Sequence, residues 1–405
     1  MVAIEVSLTN LTKYDTFATM RMLEVDTPEK VNRFLELPLS IYKDDPEWIR
    51  PLNKDIEQVF DIKSNKTFRH GEAIRWILVD DKDRTIGRIA AFVNKKTSDK
   101  NDQPTGGIGF FECIDDQHTA NFMFDWCKDW LKEKGMQAMD GPINFGERDR
   151  WWGLLVEGFY EPVYCMNYNP PYYKRLFEGY GFQTYYEQYC FSLNPNDELD
   201  PKFKEAYDRL LSEGDYIADH IRKNNLAKYA ADFTTIYNKA WAKHGGGKTL
   251  GVEQTLAMFK KMKPVLEEEL VWFVYHKGEP IAAWLNLPEL NQFFKYMHGR
   301  FGLWQKFKFL WLKNTGACRK FYGIVFGVVP EFQGKGVDGF MIWAGAQKII
   351  SLKKYEFMEL QWIGDFNPKM IAIAKSLGSK KCRTLITYRR LFDSTLEFKR
   401  HPILS

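Results

Sequence analysis

The chain holds 405 residues, of which 45% are hydrophobic and 16% aromatic, a size and apolar content that predict two domains with packed cores. Its 57 basic and 53 acidic side chains leave a net charge of +4 without a clustered basic face, which argues against nucleic acid as a partner. The six cysteines (Cys113, Cys127, Cys165, Cys190, Cys318, Cys382) form no C-x-x-C pair, and there is neither a secretory leader pattern nor a run of ~18 apolar residues; a cytoplasmic protein with free thiols and no membrane span is expected.

In chain order, residues 76–79 and 85–93 read as strands of a hairpin across Asp80-Asp81-Lys82-Asp83. Residues 95–106 are a polar loop and 109–113 a strand. Asp116 is placed to cap a helix that starts at Gln117 and runs to about residue 134, with Phe122, Trp126, Trp130 and Leu131 on its apolar face and Gly135 at its end. A strand is predicted over 136–143. Residues 169–178, opened by Asn169-Pro170-Pro171, read as a helix closed near Gly181.

The second half repeats this order. Residues 226–244 predict a helix with Tyr229, Phe233, Ile236 and Trp241 on its apolar side. Residues 271–275 and 281–287 form a second hairpin across His276-Lys277-Gly278-Glu279. A strand over 321–329 leads through a Gly-rich turn into a helix over 340–353. A strand over 357–363, a helix opened by Asn367-Pro368 and closed at Gly378, and a strand over 382–388 complete the half. Both halves therefore follow hairpin, strand, helix, strand, Asn-Pro helix, strand, an internal repeat of about 200 residues. The turn-rich stretch Asn194-Pro195-Asn196-Asp197-Glu198-Leu199-Asp200-Pro201 predicts the joint, giving domains over 1–198 and 199–405.

Two other segments stand out. Residues 300–313, from Arg300 to Lys313, interleave aromatic and basic residues; as a helix they place Leu303, Trp304, Phe307, Leu310 and Trp311 on one face, away from Lys306, Lys308 and Lys313. That face is expected to cover a sheet, with peripheral contact to the inner membrane surface as the alternative. His244-Gly245-Gly246-Gly247-Lys248-Thr249 has the composition of a phosphate loop without the preceding strand, and reads as a plain loop.

The segment richest in chemistry is Val328-Val329-Pro330-Glu331-Phe332-Gln333-Gly334-Lys335-Gly336, between strand and helix. A Gly-rich turn converges backbone N–H groups, and a helix start adds roughly half a positive charge, so the arrangement favours an anion. The spacing fits neither G-x-x-x-x-G-K-[ST] nor G-x-G-x-x-G. It resembles the pyrophosphate loop of the GNAT acyltransferases, V-x-P-x-x-[QR]-x-x-G-x-[GA], through Val328, Pro330, Gln333 and Gly336; Asp338 departs from the pattern.

With its repeat, the chain resembles tandem GNAT proteins, in which two α/β units with mixed sheets of the acyl-CoA N-acyltransferase fold stand in one chain and the first is degenerate. Gly141-Pro142-Ile143-Asn144 and Asn169-Pro170-Pro171-Tyr172-Tyr173 resemble signatures of a bacterial group of such proteins. The resemblance implies acyl transfer to an amine, with acyl-CoA or acetyl-CoA as co-substrate, no permanently bound cofactor and no metal. The backbone of Phe326, Gly327, Val328 and Val329 would pair with pantetheine. The N–H groups of Gln333, Gly334, Lys335 and Gly336 would hold the pyrophosphate, with Lys335 as a mobile charge and Asn367 opening the last helix. In the first copy Glu112-Cys113-Ile114-Asp115-Asp116 stands where the loop would be, and its charges oppose phosphate.

Acyl transfer to an amine needs a base and an acid. The tyrosine that GNAT enzymes often place seven residues after the Asn of the last helix falls on Ala374, so Glu359, Tyr322 and Tyr388 are the candidate catalytic groups. Asn144, Arg148, Trp151, Tyr172, Tyr173 and His298 are expected to shape a pocket between the copies for a small-molecule or lipid amine. Two rival readings remain: a non-catalytic ligand- or partner-binding protein on this fold, favoured by Asp338 and Ala374, and an aminoacyl transferase of the FemABX type, which would need a basic groove for tRNA.

Overall fold

The structure is a computed structural model that describes residues 20–98, 103–240 and 249–404. The first residues of the chain, part of the polar loop after residue 98, and Trp241, His244 and the glycines that follow lie outside the described residues.

The strands are β1 (Arg21–Glu24), β2 (Gly71–Val79), β3 (Thr85–Asn94), β4 (Thr105–Cys113), β5 (Ala138–Gly141), β6 (Leu154–Glu157), β7 (Gln183–Leu193), β8 (Tyr216–His220), β9 (Val271–His276), β10 (Glu279–Pro288), β11 (Lys320–Val328), β12 (Phe357–Gly364) and β13 (Lys380–Leu391). The helices are α1 (Pro28–Ile41), α2 (Asn53–Phe60), α3 (Gln117–Glu133), α4 (Tyr173–Tyr180), α5 (Pro201–Glu213), α6 (Leu226–Ala240), α7 (Val252–Met262), α8 (Asn291–Phe294), α9 (Leu303–Asn314), α10 (Val337–Ser351) and α11 (Pro368–Ser376). Among the described residues the strands make one mixed sheet in the order β1-β2-β3-β4-β5-β13-β7-β12-β11-β10-β9-β8, with β6 beside β13. The α/β tandem plan holds: each half runs hairpin, strand, helix, strand, helix, strand.

Local chemistry explains the elements that the sequence announces. Asp80 closes the β2–β3 turn by accepting hydrogen bonds from the backbone N–H groups of Lys82 and Arg84. Asp116 caps α3 through the Thr119 N–H at 2.7 Å, and Asn367 caps α11 through the Met370 N–H at 3.3 Å. Gly181 ends α4 in the left-handed conformation, φ 93°.

Several expectations are corrected. The buried face of α3 is Ala120, Met123, Phe124, Cys127 and Leu131, whereas Trp126 is exposed. Pro170 and Pro171 precede α4 rather than opening it, and α10 starts at Val337, not at residue 340. The face of α9 that was expected to cover a sheet points to solvent; only Phe309 and Leu312 of that helix are buried.

The two halves exchange their last strands. β7, from the first half, pairs antiparallel with β12. β13, from the second half, pairs antiparallel with β5. The two exchanged strands also pair with each other, from Lys380↔Ser192 to Arg389↔Gln183, at the centre of the sheet.

Each half also carries a bulge at the same place. Against β10, residues Gly323 and Val325 of β11 pair with Asn286 and Leu285, leaving Ile324 as the extra residue. Parallel pairing of β11 with β12 stops there, at Gly323↔Leu360. A bulge bends the strand that carries it, so β11 leaves β12 and a wedge opens between them. In the first half β4 has its irregularity opposite Arg88 and Ala90, with Phe110 at φ 51°, and pairing with β5 stops at Gly107↔Asp140. That wedge is closed by the chain itself: the Ile143 N–H donates to the Ile108 carbonyl at 2.8 Å, and Ile143, Phe145 and Trp151 pack into the core beneath it.

Candidate functional site

The open wedge between β11 and β12 is a cavity of about 460 Å³. Its walls are Ile324, Val325 and Phe326 of β11, residues 360–364 of β12, Ile342 of α10, the cap residue Asn367, and Met370, Ile373 and Ala374 of α11. Most of this lining is apolar, and the exposed Arg148 and Asp149 arrive at it from the first half. The Trp362 Nε1–H donates to the Arg148 carbonyl at 3.2 Å and ties that loop to the cleft.

Strand alternation gives the wedge its backbone groups. The Val329 N–H donates to Ile281 of the sheet at 2.9 Å, so Gly327 and Val329 turn their polar groups toward β10. Phe326 and Val328 then present theirs to the gap. Gly327 and Val329 are thus committed to the sheet, and the pairing expected of them falls to Phe326 and Val328. The Val328 carbonyl accepts a hydrogen bond from the Gln333 side chain at 3.0 Å.

The loop after β11 opens onto the same gap. Pro330–Phe332 make one 3-10 turn, and the Gln333 N–H donates back to Pro330 at 3.2 Å, so it is not free for a ligand. Gly334 and Gly336 take positive φ, 72° and 85°, which a side chain would strain. α10 begins after Gly336 with no side-chain cap. Its first helical bond runs from the Phe340 N–H to the Gly336 carbonyl, which leaves the N–H groups of Val337, Asp338 and Gly339 without a helical acceptor. Asp338 does not cap the helix; it sits in the first turn, and its carboxylate has no hydrogen-bond or ion-pair partner among the described residues. Gln333, Gly334 and Lys335 are exposed.

Arg209 completes the loop and was not singled out from the sequence. It lies on α5, which packs so closely on α10 that a Cβ on Gly339 would meet Ala206 at 3.0 Å, and Tyr207 stacks on Phe340 with ring centroids 5.0 Å apart. The Arg209 guanidinium donates to the Lys335 carbonyl at 2.7 Å. It fixes the turn between the two glycines and brings a cation to the helix start. The capping signal for α5 was present: Asp200 precedes Pro201 and accepts from the Lys202 N–H at 3.0 Å. What the signal lacked was any link to a loop more than a hundred residues away.

The three candidate catalytic groups are not assembled at the cleft. Glu359 is fully buried, and both of its oxygens are taken, by Lys320 Nζ at 2.6 Å and Arg383 Nε at 2.9 Å. Tyr322 is buried next to it in register but does not line the cavity; burial, then the charge of Glu289, push its phenol well up, so it stays protonated. Tyr388 lies in the core of the first half, where its hydroxyl reaches Glu178 at 3.0 Å. Ala374 is buried in the cavity wall, so the position where the resemblance expects a tyrosine hydroxyl offers a methyl group.

The expected acceptor residues scatter in the same way. Of these, Arg148 alone lines the cleft. Trp151 is buried against Phe110, ring centroids 5.5 Å apart. Asn144 is buried, and its Oδ1 has no hydrogen-bond partner among the described residues. Tyr173 donates to Glu112 and accepts from the Cys113 N–H, both at 2.8 Å, while Tyr172 donates to the Cys113 carbonyl at 2.7 Å. Tyr173, with Tyr42 and Arg88, satisfies the buried Glu112 carboxylate in the first half. The cavity beside them is only about 60 Å³. His298 is exposed in the turn between α8 and α9, at φ 50°.

Glu289, at the end of β10, is a second group that sequence reasoning missed. Burial pushes its carboxyl up to about 7, against the pull of Lys320. One oxygen, Oε1, accepts from the backbone N–H groups of Tyr164 at 2.7 Å and Asn291 at 3.0 Å.

Comparison with solved structures matches this architecture over nearly its full length. A tandem GNAT protein from the clavulanic acid biosynthesis pathway superposes with a TM-score of 0.54 at 9% identity, over 93% of this chain and 99% of that one. The chain has the tandem GNAT fold. A second GNAT region, the GCN5-related glucosamine N-acetyltransferase part of a fungal multi-domain β-N-acetylglucosaminidase, gives a TM-score of 0.55 at 12% identity, over 95% of this chain and 40% of that one. Among curated proteins the chain is similar to a bacterial ceramide synthase from Caulobacter vibrioides, 26% identical over 93% of this chain and 98% of the relative. It is also similar to protein YghO from Escherichia coli, 22% identical over 88% and 92%. No protein-family model matches. In GNAT terms, the open wedge and Gly-rich loop belong to the second copy, and the closed wedge with its buried Glu112 to the first.

Proposed function

We propose that the second copy binds acyl-CoA in the β11–β12 wedge and transfers the acyl group to the amine of a lipid or small molecule. The observation that carries this reading is continuity: an apolar cleft edged by the backbone groups of Phe326 and the Val328 N–H, which face away from β10, runs from the same strand that ends in the Gly334–Gly336 loop and the helix start. Pantetheine is an extended chain with amide groups, which suits a strand edge, and a pyrophosphate suits convergent N–H groups next to Arg209 and Lys335. Gly334, Lys335, Gly336 and Val328 keep the binding roles expected of them, Gln333 acts through its side chain on Val328, and Asn367 shapes the wall.

In this reading the amine attacks the thioester carbonyl, the C–S bond breaks, and coenzyme A leaves as the thiol after taking up a proton. The amine loses one proton as the amide forms. A lipid amine is favoured by the apolar lining and by the similarity to a ceramide synthase. Arg148 and Asp149 are exposed at the cleft, where the acceptor's polar end would meet them. The test is to incubate the protein with acyl-CoA and a long-chain amino alcohol and to follow thiol release together with amide mass. Thiol and amide appearing in equal amounts is the expected result; hydrolysis of the thioester without amide excludes this acceptor class.

A second reading, a binding protein without turnover, is favoured by one observation: the wall position expected to supply a proton is Ala374. Retention of acyl-CoA without thiol release under any acceptor decides for it.

A further inference from the structure

Helix α9 exposes an apolar face that none of the described residues covers. Leu303, Trp304, Phe307, Leu310 and Trp311 are between 53% and 82% exposed. At 100° per residue these five fall within an arc of about 120°. On the opposite side, Phe309 and Leu312 are buried, and Phe309 packs on Phe293 with ring centroids 5.1 Å apart. The helix is therefore held by one face and presents the other outward. Surface tryptophans are costly to leave in water, and five large apolar side chains on one helix form a patch of the kind that marks an interaction site.

The charges around the patch select its partner. Between residues 300 and 318 there are four basic residues, Arg300, Lys306, Lys308 and Lys313, and no acidic one. None of the four is in an ion pair among the described residues, whereas the flanking Lys295 and Arg319 are, with Glu161 and Glu356. On the helical wheel Lys308 borders the apolar arc on one side and Lys306 and Lys313 on the other. Tryptophan and leucine in the middle with lysines along both edges is the pattern of a helix lying in the headgroup plane of an anionic bilayer. A protein groove would need acidic residues on both rims and a slot for two indoles. α9 has 12 residues, about 18 Å of helix, too short to span a bilayer of about 30 Å. No helix among the described residues is long and apolar enough to cross a membrane.

We propose that α9 docks the protein on the surface of an anionic lipid bilayer, with Trp304, Phe307 and Trp311 inserted among the headgroups. None of these residues lines the wedge, so the proposal stands or falls apart from the acyl-CoA reading. The test is co-sedimentation of the full chain with phosphatidylcholine vesicles, with or without phosphatidylglycerol. Wild type is expected to bind the anionic vesicles, to release them at high salt, and to show a blue shift of tryptophan emission. Trp304→Glu combined with Trp311→Glu is expected to lower partitioning by more than about tenfold, and Lys306→Gln by about fivefold. Both are surface changes, so an unaltered melting temperature shows that the fold is intact. Equal binding by wild type and the double variant overturns the proposal. So does a wild-type dimer that ignores vesicles and becomes monomeric in the double variant, which would make a second copy of the chain the occupant.

Discussion

Glu359 of β12 and Arg383 of β13 meet at 2.9 Å across the intervening strand β7, with neither side chain exposed to solvent. The same guanidinium donates to the carbonyls of Gly158, Tyr160 and Glu161 and lies 3.6 Å from the centre of the Tyr160 ring. Lys320 holds the other oxygen of Glu359. The cluster ties the exchanged strand β13 to β12, two strands away, and to the segment that follows β6.

Removing one partner of such a cluster leaves an uncompensated buried charge. Glu359→Ala is predicted to lower stability by about 3–5 kcal/mol, read as a fall in the denaturation midpoint. Glu359→Gln is expected to be milder but in the same direction. A variant that keeps full stability while losing turnover would restore Glu359 to a catalytic role.

The strand exchange predicts that neither half is independent. Residues 199–405 alone lack β7, so β12 has an unpaired edge in the middle of what was a buried sheet. That fragment is expected to aggregate, and co-expression with residues 1–198 to restore a soluble complex. A soluble, cooperatively melting 199–405 fragment would show that the second copy completes its own sheet.

Glu289 predicts the pH dependence of stability. Its carboxyl sits at about 7 in the folded chain against an ordinary 4.5. The folded state therefore holds this proton more tightly than the unfolded state. Stability falls as pH rises through the interval from 4.5 to about 7, by about 3 kcal/mol from this group, and the loss is complete above it. A Gln carbonyl can take the place of Oε1, which receives both backbone bonds. Glu289→Gln is thus predicted to flatten the profile and to melt higher than wild type at pH 8. An unchanged profile would mean that another group carries the titration.

The loop predicts two opposite effects on coenzyme A affinity, both readable by calorimetry. Arg209→Ala removes the bond to Lys335 and a cation, and is expected to weaken binding by about tenfold. Asp338→Asn removes the one acidic group from the helix start, and is expected to tighten binding by two- to fivefold, a macrodipole-sized effect of about 0.3–1 kcal/mol. Weaker binding in Asp338→Asn would show that the carboxylate shapes the site instead of opposing the ligand.

What was legible in the sequence is what is local. The hairpins, the caps at Asp116 and Asn367, and the spacing of Gly334 and Gly336 follow from neighbouring residues, and the repeat follows from their order. What was not legible depends on packing between distant segments. Glu359 looked catalytic because its partners, Lys320 and Arg383, come from two other strands. Arg209 reaches the loop only because α5 lies on α10. For α9 the periodicity identified the apolar face correctly and said nothing of whether sheet or solvent meets it. Tyr172 and Tyr173 belonged to a signature that points to a site, yet inside the closed first copy Tyr173 satisfies Glu112 and Tyr172 the Cys113 carbonyl.

The central claim is that the β11–β12 wedge and its loop form an acyl-CoA site. Titrating wild type and Gly336→Val with acyl-CoAs of graded chain length, by calorimetry, tests it most directly. Gly336 stands at φ 85°, and a Cβ there would meet the Arg209 guanidinium at 2.7 Å, so the substitution disturbs the loop while leaving the wedge lined as before. The account predicts a single site in wild type and a loss of affinity of at least about tenfold in the variant. No heat with any chain length in wild type, or equal affinity in the two proteins, would contradict it.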